Sequence, residues 1–345
     1  PAEAAPAEAN PLLDVLDWHV EHHPERQHIQ LNQDEGEGES LNYRQLRAGA
    51  ARVAAGLQQA GLQPAEPVAL MLPSGTDYFY SFIGILMGGG VPVPVYPPAR
   101  PSQLEDHLLR HARILANCRA ITLITVPEAS KVARLLKSHV PGLKNIVTVS
   151  ELMASAASAS TPAVGSNDSA VLQYTSGSPG NPKGVVLTHP NLLANIRAMG
   201  STVRASPDDV FVSWLPLYHD MGLIGAWLGS LYYATLLVVM PPLSFLARPE
   251  RWLWTIHRYR GTLSAAPNFG YEYCLKRIRD EDLKGLDLGS WRAAFNGAET
   301  ISPDTLQLFE SRFADYGFHA TAMMPVYGLA ESSVGLAFPP LGRGA

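Results

Sequence analysis

The chain has 345 residues, and at about 150 residues per domain that length corresponds to two units or one composite domain with a sizeable core. With 46% hydrophobic and 17% charged residues it is too apolar and too weakly charged to remain unfolded. The 26 Lys and Arg against 31 Asp and Glu leave a net charge of −5, which gives no overall attraction to nucleic acid or to an anionic bilayer, so an anionic ligand needs a local site.

Residues 1–11 are rich in Ala, Pro and Glu and lack the basic and apolar regions of a secretory signal, so they read as a flexible tail. Residues 14–23 and 43–60 carry apolar side chains at helical spacing, the second stretch closed by Gly61. Residues 67–72, 77–87 and 91–96 then read as strand, helix and strand, a βαβ unit. The rhythm continues with a helix over 103–117, a strand over 123–126, a helix over 129–138 and a strand over 145–149. Such alternation predicts an α/β fold, mainly parallel sheets flanked by helices. An Ala/Ser run over 154–161 reads as a surface connection, dividing a first α/β subdomain, 12–165, from a second, 166–345.

In the second subdomain 170–174 and 184–187 read as strands, 190–199 as a helix and 210–214 as a strand. The uncharged stretch 221–247 is long enough to cross a bilayer, but Gly222, Gly225 and Gly229 interrupt it and Pro241-Pro242 cut it. It divides instead into an apolar helix, 221–232, and a β-branched strand, 235–240, so no stable membrane insertion is expected. Ser302 and Pro303 supply a cap and a first-turn proline for a helix over 303–313. Cys118 and Cys274 are the only cysteines, too few for a disulfide framework and outside any Cys-x-x-Cys pair, which fits a reducing, cytoplasmic compartment.

Between the strands at 170–174 and 184–187 lies Thr175-Ser176-Gly177-Ser178-Pro179-Gly180-Asn181-Pro182-Lys183. Small residues let backbone N–H groups turn toward a ligand, the hydroxyls add donors, and Lys183 adds a positive charge, a combination suited to a polyphosphate. Composition alone describes a Ser/Gly hairpin equally well. The segment is not an ordinary P-loop: counted from Gly177, the required second glycine falls on Pro182, and Gly184 stands where Ser or Thr would meet magnesium. It also opens into a strand, without the helix N-terminus that helps hold phosphate.

Tyr-Thr-Ser-Gly-Ser-x-Gly-x-Pro-Lys-Gly is similar to the phosphate loop of the adenylate-forming superfamily, which includes acyl-CoA synthetases, luciferases and peptide-synthetase adenylation domains. In the same order, 214–224 resembles the family's His-Asp motif, Asn296-Gly297-Ala298-Glu299 its adenine-binding turn, and Tyr327-Gly328-Leu329-Ala330-Glu331 its Tyr-Gly-x-x-Glu motif. The wording of 91–98 (Val-Pro-Val-Pro-Val-Tyr-Pro-Pro), of 215–224, of Pro267-Asn268-Phe269 and of the turn at Asn296 looks most like fatty acyl-AMP ligases, over roughly 12–343.

The resemblance implies the large N-terminal domain of an adenylate-forming enzyme. Its reaction would convert a fatty acid and ATP to acyl-adenylate and pyrophosphate, then pass the acyl group to the phosphopantetheine thiol of an acyl carrier protein. It also implies roles. Thr175, Ser176, Gly177, Ser178, Gly180 and Lys183 would grip the β- and γ-phosphates, and Glu331 would hold Mg2+. Tyr327, with Gly328 and Leu329, would stack on adenine, and the backbone of Asn296, Gly297, Ala298 and Glu299 would line its other edge. His219 would meet the acyl carboxylate and α-phosphate, with Lys183 and Glu331 completing the catalytic set. Met221, Trp227, Phe269 and Tyr271 would wall an acyl tunnel. Asp220 either orients the His219 ring or caps the helix that follows. Pro179 replaces a threonine usual in the family, which removes a hydroxyl and a backbone N–H from the loop. The chain stops at Ala345, before the family's C-terminal domain and its catalytic lysine, so little turnover is expected of these residues alone. Competing readings are an acyl-CoA ligase, with the same first step and a different acceptor, and a non-catalytic acyl- or nucleotide-binding module.

Overall fold

Short apolar runs bounded by Pro, Gly or Asp form the central strands, as expected of parallel strands covered on both faces. The computed structural model describes all residues except 1, 33–37, 98–103, 130–133, 135, 156–157, 161, 163–164, 166 and 176–181, with backbone alone at 104–109. In chain order the strands are β1 (Gln27–Leu31), β2 (Ser40–Asn42), β3 (Pro67–Met71), β4 (Val91–Pro94), β5 (Thr122–Thr125), β6 (Asn145–Val147), β7 (Ser169–Tyr174) and β8 (Gly184–Thr188). They continue as β9 (Val210–Ser213), β10 (Leu236–Val239), β11 (Leu263–Ala266), β12 (Ala293–Asn296), β13 (Met323–Pro325), β14 (Tyr327–Gly328) and β15 (Gly335–Ala337).

Two compact units form, each discontinuous in sequence: 8–25 with 43–192, and 1–7 with 26–42 and 193–345. The single cut near residue 165 expected from the Ala/Ser run is replaced by this interleaving. Leu172 and Tyr174 of β7 pack on the core around Ala69, Leu115 and Leu123, which draws β7 and β8 into the earlier unit. Conversely β1 runs parallel to β10, which draws 26–42 into the later one.

In the unit of 8–25 and 43–192, a four-stranded parallel sheet has the order β4-β3-β5-β6. Its edge strand β4 contains Pro92 and Pro94, which have no N–H to give. Val91 and Val95 donate to Glu66 O and Leu70 O at 2.9 and 3.0 Å, so the prolines fall at alternate positions where no ladder donor is needed. Strands β7 and β8 form their own antiparallel pair, a departure from the parallel pattern expected across 166–345. His189, directly after β8, is fully buried, and its Nδ1 accepts from Leu12 N at 3.1 Å. Helix Leu12–His22 is thereby held to the base of the β7–β8 pair.

In the other unit a seven-stranded sheet has the order β13-β12-β11-β9-β10-β1-β2, parallel throughout except for β2. The chain leaves β9 for β10 on one side and returns for β11 on the other, so the strand order reverses between β9 and β11. Trp252, Trp291, Tyr271 and Phe309 pack edge-to-face beneath it. The expected apolar helix at 221–232 begins as a π-helix, Met221–Leu228, and tightens to an α-turn at Gly229–Tyr232. Among the described residues no helix is long and apolar enough to cross a membrane. The N-terminal segment is not the free tail its composition suggests: Ala5 N donates to Tyr232 O at 2.8 Å and Arg197 Nη1 to Ala7 O at 3.0 Å.

The starts of β9, β11 and β12 are locked by Asp209. Its carboxylate accepts from Arg292 Nε and Nη2 at 2.8 and 2.6 Å and from the Thr262 hydroxyl at 2.7 Å. Burial alone would raise this carboxyl, but the Arg292 guanidinium, the Thr262 hydroxyl and the Ser206 N–H hold it below the usual carboxylate range. D209A removes the acceptor of two Arg292 donors and of the Thr262 hydroxyl, while Arg292 keeps its bonds to Val203 O and Arg204 O, and urea denaturation is expected to show a loss of about 2 kcal/mol.

A second expectation concerns acid. Burial lowers His189 to about 4, against a partial opposing pull from Asp168, whereas an unfolded histidine titrates near 6.5. The unfolded chain therefore takes up the proton first, so this contribution is intact above about pH 6.5 and is lost as the pH falls toward about 4, by up to roughly 3 kcal/mol. In H189Q, which keeps an acceptor for Leu12 N, the acid slope of stability is expected to be shallower by that amount. Equal slopes in denaturant titrations between those pH values would contradict it.

Candidate active site

The residues marked by sequence fall in both units. In the unit of 8–25 and 43–192, Thr175 and Lys183 stand at the facing ends of β7 and β8, and Thr175 N donates to Lys183 O at 3.4 Å. Lys183 is exposed and has no ion-pair partner among the described residues. Ser176, Gly177, Ser178 and Gly180 lie outside the described residues. Across the strand pair Tyr174 faces Gly184, and a Cβ on Gly184 would lie 2.8 Å from the phenol ring. Only glycine therefore follows Lys183 without displacing Tyr174, whose hydroxyl donates to Asn117 Oδ1 at 2.5 Å. The neighbouring Cys118 is buried and its thiol is pushed up to about 11 by that burial, so it is no nucleophile.

In the other unit the marked residues follow the C-terminal ends of parallel strands. Trp214 to Asp220 follow β9, Pro267 to Phe269 follow β11, Asn296 to Glu299 end and follow β12, and Tyr327 follows β13. The loops after β9 and β11 flank the point where strand order reverses, the usual ligand position in open parallel sheets. They touch directly, with the Phe269 ring edge-on to Trp214 at 5.8 Å.

Asp220 takes both roles that its sequence position left open. Its Oδ1 lies 2.8 Å from His219 Nδ1 and accepts from Met221 N at 2.7 Å. Met221 N also lies 3.3 Å from Nδ1, so that nitrogen is engaged by Asp220 and by the start of the following helix. The His219 side chain is half exposed. Met221 and Phe269 are also partly open, at the start of the π-helix and on the helix after β11. π-Turns recur at functional sites because they widen the backbone.

Two expected tunnel residues are core residues instead. Tyr271 and Trp227 are both fully buried. The Tyr271 hydroxyl donates to Phe295 O at 2.7 Å, which fixes it inside the aromatic core.

The Asn-Gly-Ala-Glu turn is stitched to the start of helix Asn268–Arg277. Glu299 Oε1 accepts from Phe269 N at 2.5 Å, satisfying a first-turn donor that no local side chain caps. Asn268 Oδ1 in turn accepts from Ser302 N at 3.1 Å and from Asn296 Nδ2 at 3.3 Å. Ala298 sits at φ +72°, a left-handed conformation that costs a non-glycine residue roughly 1 kcal/mol and sharpens the turn. Glu299 thus spends its carboxylate on the helix, a role its motif position did not announce. Val326 N donates to Asn296 O at 2.8 Å, bringing the turn beside Tyr327.

Tyr327 and Gly328 form β14, paired antiparallel with β15. A Cβ on Gly328 would lie 1.7 Å from Val334 O, so the hairpin requires glycine there. Tyr327 is 62% exposed. Leu329 is extended and leads into the turn that presents Glu331, whose carboxylate is exposed and without a partner among the described residues. Among the described residues no three His, Cys, Asp or Glu side chains cluster as metal ligands.

The model of the AMP-binding enzyme family matches residues 16–344. The chain belongs to that family, whose adenylate-forming members use ATP. It is 36% identical over 334 residues to the medium-chain-fatty-acid–[acyl-carrier-protein] ligase JamA of Moorena producens, covering 95% of this chain and 56% of that protein. It is also 36% identical over 317 residues to a 4-hydroxyphenylalkanoate adenylyltransferase of Mycobacterium marinum, covering 90% of this chain and 50% of that one. Among solved structures it resembles the fatty acyl-adenylate ligase of Legionella pneumophila in complex with acyl adenylate and pyrophosphate. There the TM-score is 0.88 at 35% identity, over 98% of this chain and 58% of the other. The chain therefore has the fold of an adenylate-forming N-terminal domain, and spans about half the length of the curated relatives it matches.

The Glu299 contact is testable by itself. E299A is expected to lower stability by about 1 kcal/mol in thermal or denaturant unfolding, the usual cost of an uncapped helix N-terminus. E299Q, which retains a carbonyl acceptor, is expected to recover most of it.

Proposed function

We propose that this chain is the nucleotide- and acyl-binding part of an ATP-dependent fatty acyl-AMP ligase. The observation that carries the reading is the placement of His219, Phe269, the Asn296–Glu299 turn and Tyr327 at the C-terminal ends of the parallel strands β9, β11, β12 and β13, of which the first two flank the order reversal. The names of the relatives supply the substrate class.

A carboxylate oxygen of the fatty acid attacks the α-phosphorus of ATP; the new O–P bond forms as the bond to the β-phosphate oxygen breaks, and pyrophosphate leaves. Both reactants are anions, so the protein's work is positioning and charge stabilisation. Thr175 and Lys183, with Ser176, Gly177, Ser178 and Gly180 between them, hold the β- and γ-phosphates, and Lys183 brings a positive charge to the leaving pyrophosphate. His219, its Nδ1 engaged by Asp220, offers Nε2 to the acyl carboxylate and α-phosphate. Tyr327 stacks on adenine, with Gly328 and Leu329 carrying its backbone. The backbone of Asn296, Gly297, Ala298 and Glu299 lines the ring's other edge. Met221 and Phe269 give the acyl chain an apolar wall, where each buried CH2 contributes about 0.8 kcal/mol.

The exposed carboxylate of Glu331, without a partner among the described residues, fits a magnesium ion. Such an ion is held by one or two carboxylates together with substrate phosphates and neutralises phosphate charge when bound. In the second half-reaction the phosphopantetheine thiol of an acyl carrier protein attacks the acyl carbon and AMP leaves; the name of JamA supports that acceptor. A cytoplasmic setting accords with both cysteines being free and buried.

Fatty-acid-dependent exchange of labelled pyrophosphate into ATP by the whole protein tests the first step. Exchange is expected with medium- or long-chain acids, and K183A or E331A should reduce it roughly 100-fold. Thioester formation on a holo carrier protein in preference to coenzyme A is expected for the second. No exchange with any fatty acid would contradict the reading, and thioester on coenzyme A alone would make the protein an acyl-CoA ligase.

A further inference from the structure

Asn195, which no sequence motif singles out, grips the hairpin that carries Tyr327. It lies on helix His189–Val203. Its Nδ2 donates to Gly335 O at 2.7 Å, and its Oδ1 accepts from Gly335 N at 3.0 Å. Gly335 opens β15 and pairs with Gly328, while Tyr327 pairs with Ala337. Met199, one helical turn beyond Asn195, packs on the same glycine: a Cβ there would lie 2.5 Å from Met199 Sδ and 2.7 Å from the Phe338 ring. Phe338 meets Phe295 of β12 edge-on at 6.1 Å.

Strands β14 and β15 are two and three residues long, too short to fix themselves. Tyr327 is largely exposed, so its own packing does not place it either. Placement falls to whatever holds β15. Met199 and Phe338 set its distance from the body of the unit, but apolar contacts leave register free. A side-chain amide that takes both the N–H and the C=O of one residue reproduces the paired bonds of an antiparallel ladder and fixes direction and register together.

We propose that Asn195 is a positioning residue for nucleotide binding, acting through β15 and β14 to hold Tyr327 where an adenine ring stacks on it. The proposal rests on the nucleotide-site reading above. It needs a group that donates and accepts at once: aspartate at 195 loses the donor and sets a carboxylate against Gly335 O, and leucine loses both bonds.

The test is a double-mutant cycle read by calorimetric binding of magnesium ATP, with inorganic tripolyphosphate as the probe that lacks adenine and thermal unfolding measured alongside. N195L and N195D are each expected to weaken ATP binding about tenfold and to leave tripolyphosphate binding unchanged. Because Asn195 acts through Tyr327, N195L is expected to add nothing to Y327A. Unchanged ATP affinity in N195D, equal loss of both ligands, or additive losses in the double variant would overturn the proposal. If N195L fails to fold, N195D and its combination with Y327A carry the cycle. Wild-type protein that binds tripolyphosphate but shows no gain from the adenosine moiety would overturn the nucleotide-site reading itself.

Discussion

One constraint governs the proposed adenine and acyl end of the site: β9, β11, β12 and β13 run the same way, so the loops that leave them emerge along one edge of the sheet. Parallel strands need crossovers, and crossovers carry the chain back before each new strand. Residues separated by more than a hundred positions, such as His219 and Tyr327, therefore emerge along one edge without any bond having to draw them together. The Asp209–Arg292 pair matters to this edge only indirectly, since it fixes the starts of β9 and β12 at the opposite end.

On that edge the finer placement is done by side chains that bond to backbone. Glu299 caps the helix bearing Phe269, Asn268 ties that helix to Ser302, and Asn195 holds β15. Each joins a loop to a rigid element, and the hairpin that carries the exposed Tyr327 is held in this way. For the proposed reaction between two anions such supports matter, because reorganisation during the reaction would cost rate.

Much of the layout was legible in the sequence. Strands β3, β4, β5, β9 and β10 carry compact apolar or β-branched runs. Helix Pro303–Phe313 begins at the Ser302 cap and the proline that its first turn tolerates. Strand β11, with the sequence Leu-Ser-Ala-Ala, has almost no β-branched signal, and its burial comes wholly from neighbours on both sides. Periodicity also cannot tell a parallel from an antiparallel partner, so only the hairpin reading of the Ser/Gly segment pointed to the β7–β8 pairing. Over eight residues a uniformly apolar stretch fits a π-helix as well as an α-helix, and Met221–Leu228 gave no warning. Motif residues with exposed groups were readable; Asn195 was not, because its partner lies 140 positions away and its own neighbourhood reads as an ordinary helix. Tyr271 and Trp227 misled because a large aromatic near a site motif looks the same in sequence whether it faces a ligand or the core.

The most direct measurement of the central claim is a crystal structure of the protein with a non-hydrolysable acyl-adenylate mimic. The account predicts the adenine ring stacked on Tyr327 with its edge along the backbone of Asn296 to Glu299, and the acyl carbonyl within hydrogen-bonding reach of His219 Nε2. A mimic bound elsewhere, with Tyr327 and the turn at Asn296 contacting only solvent, would contradict it.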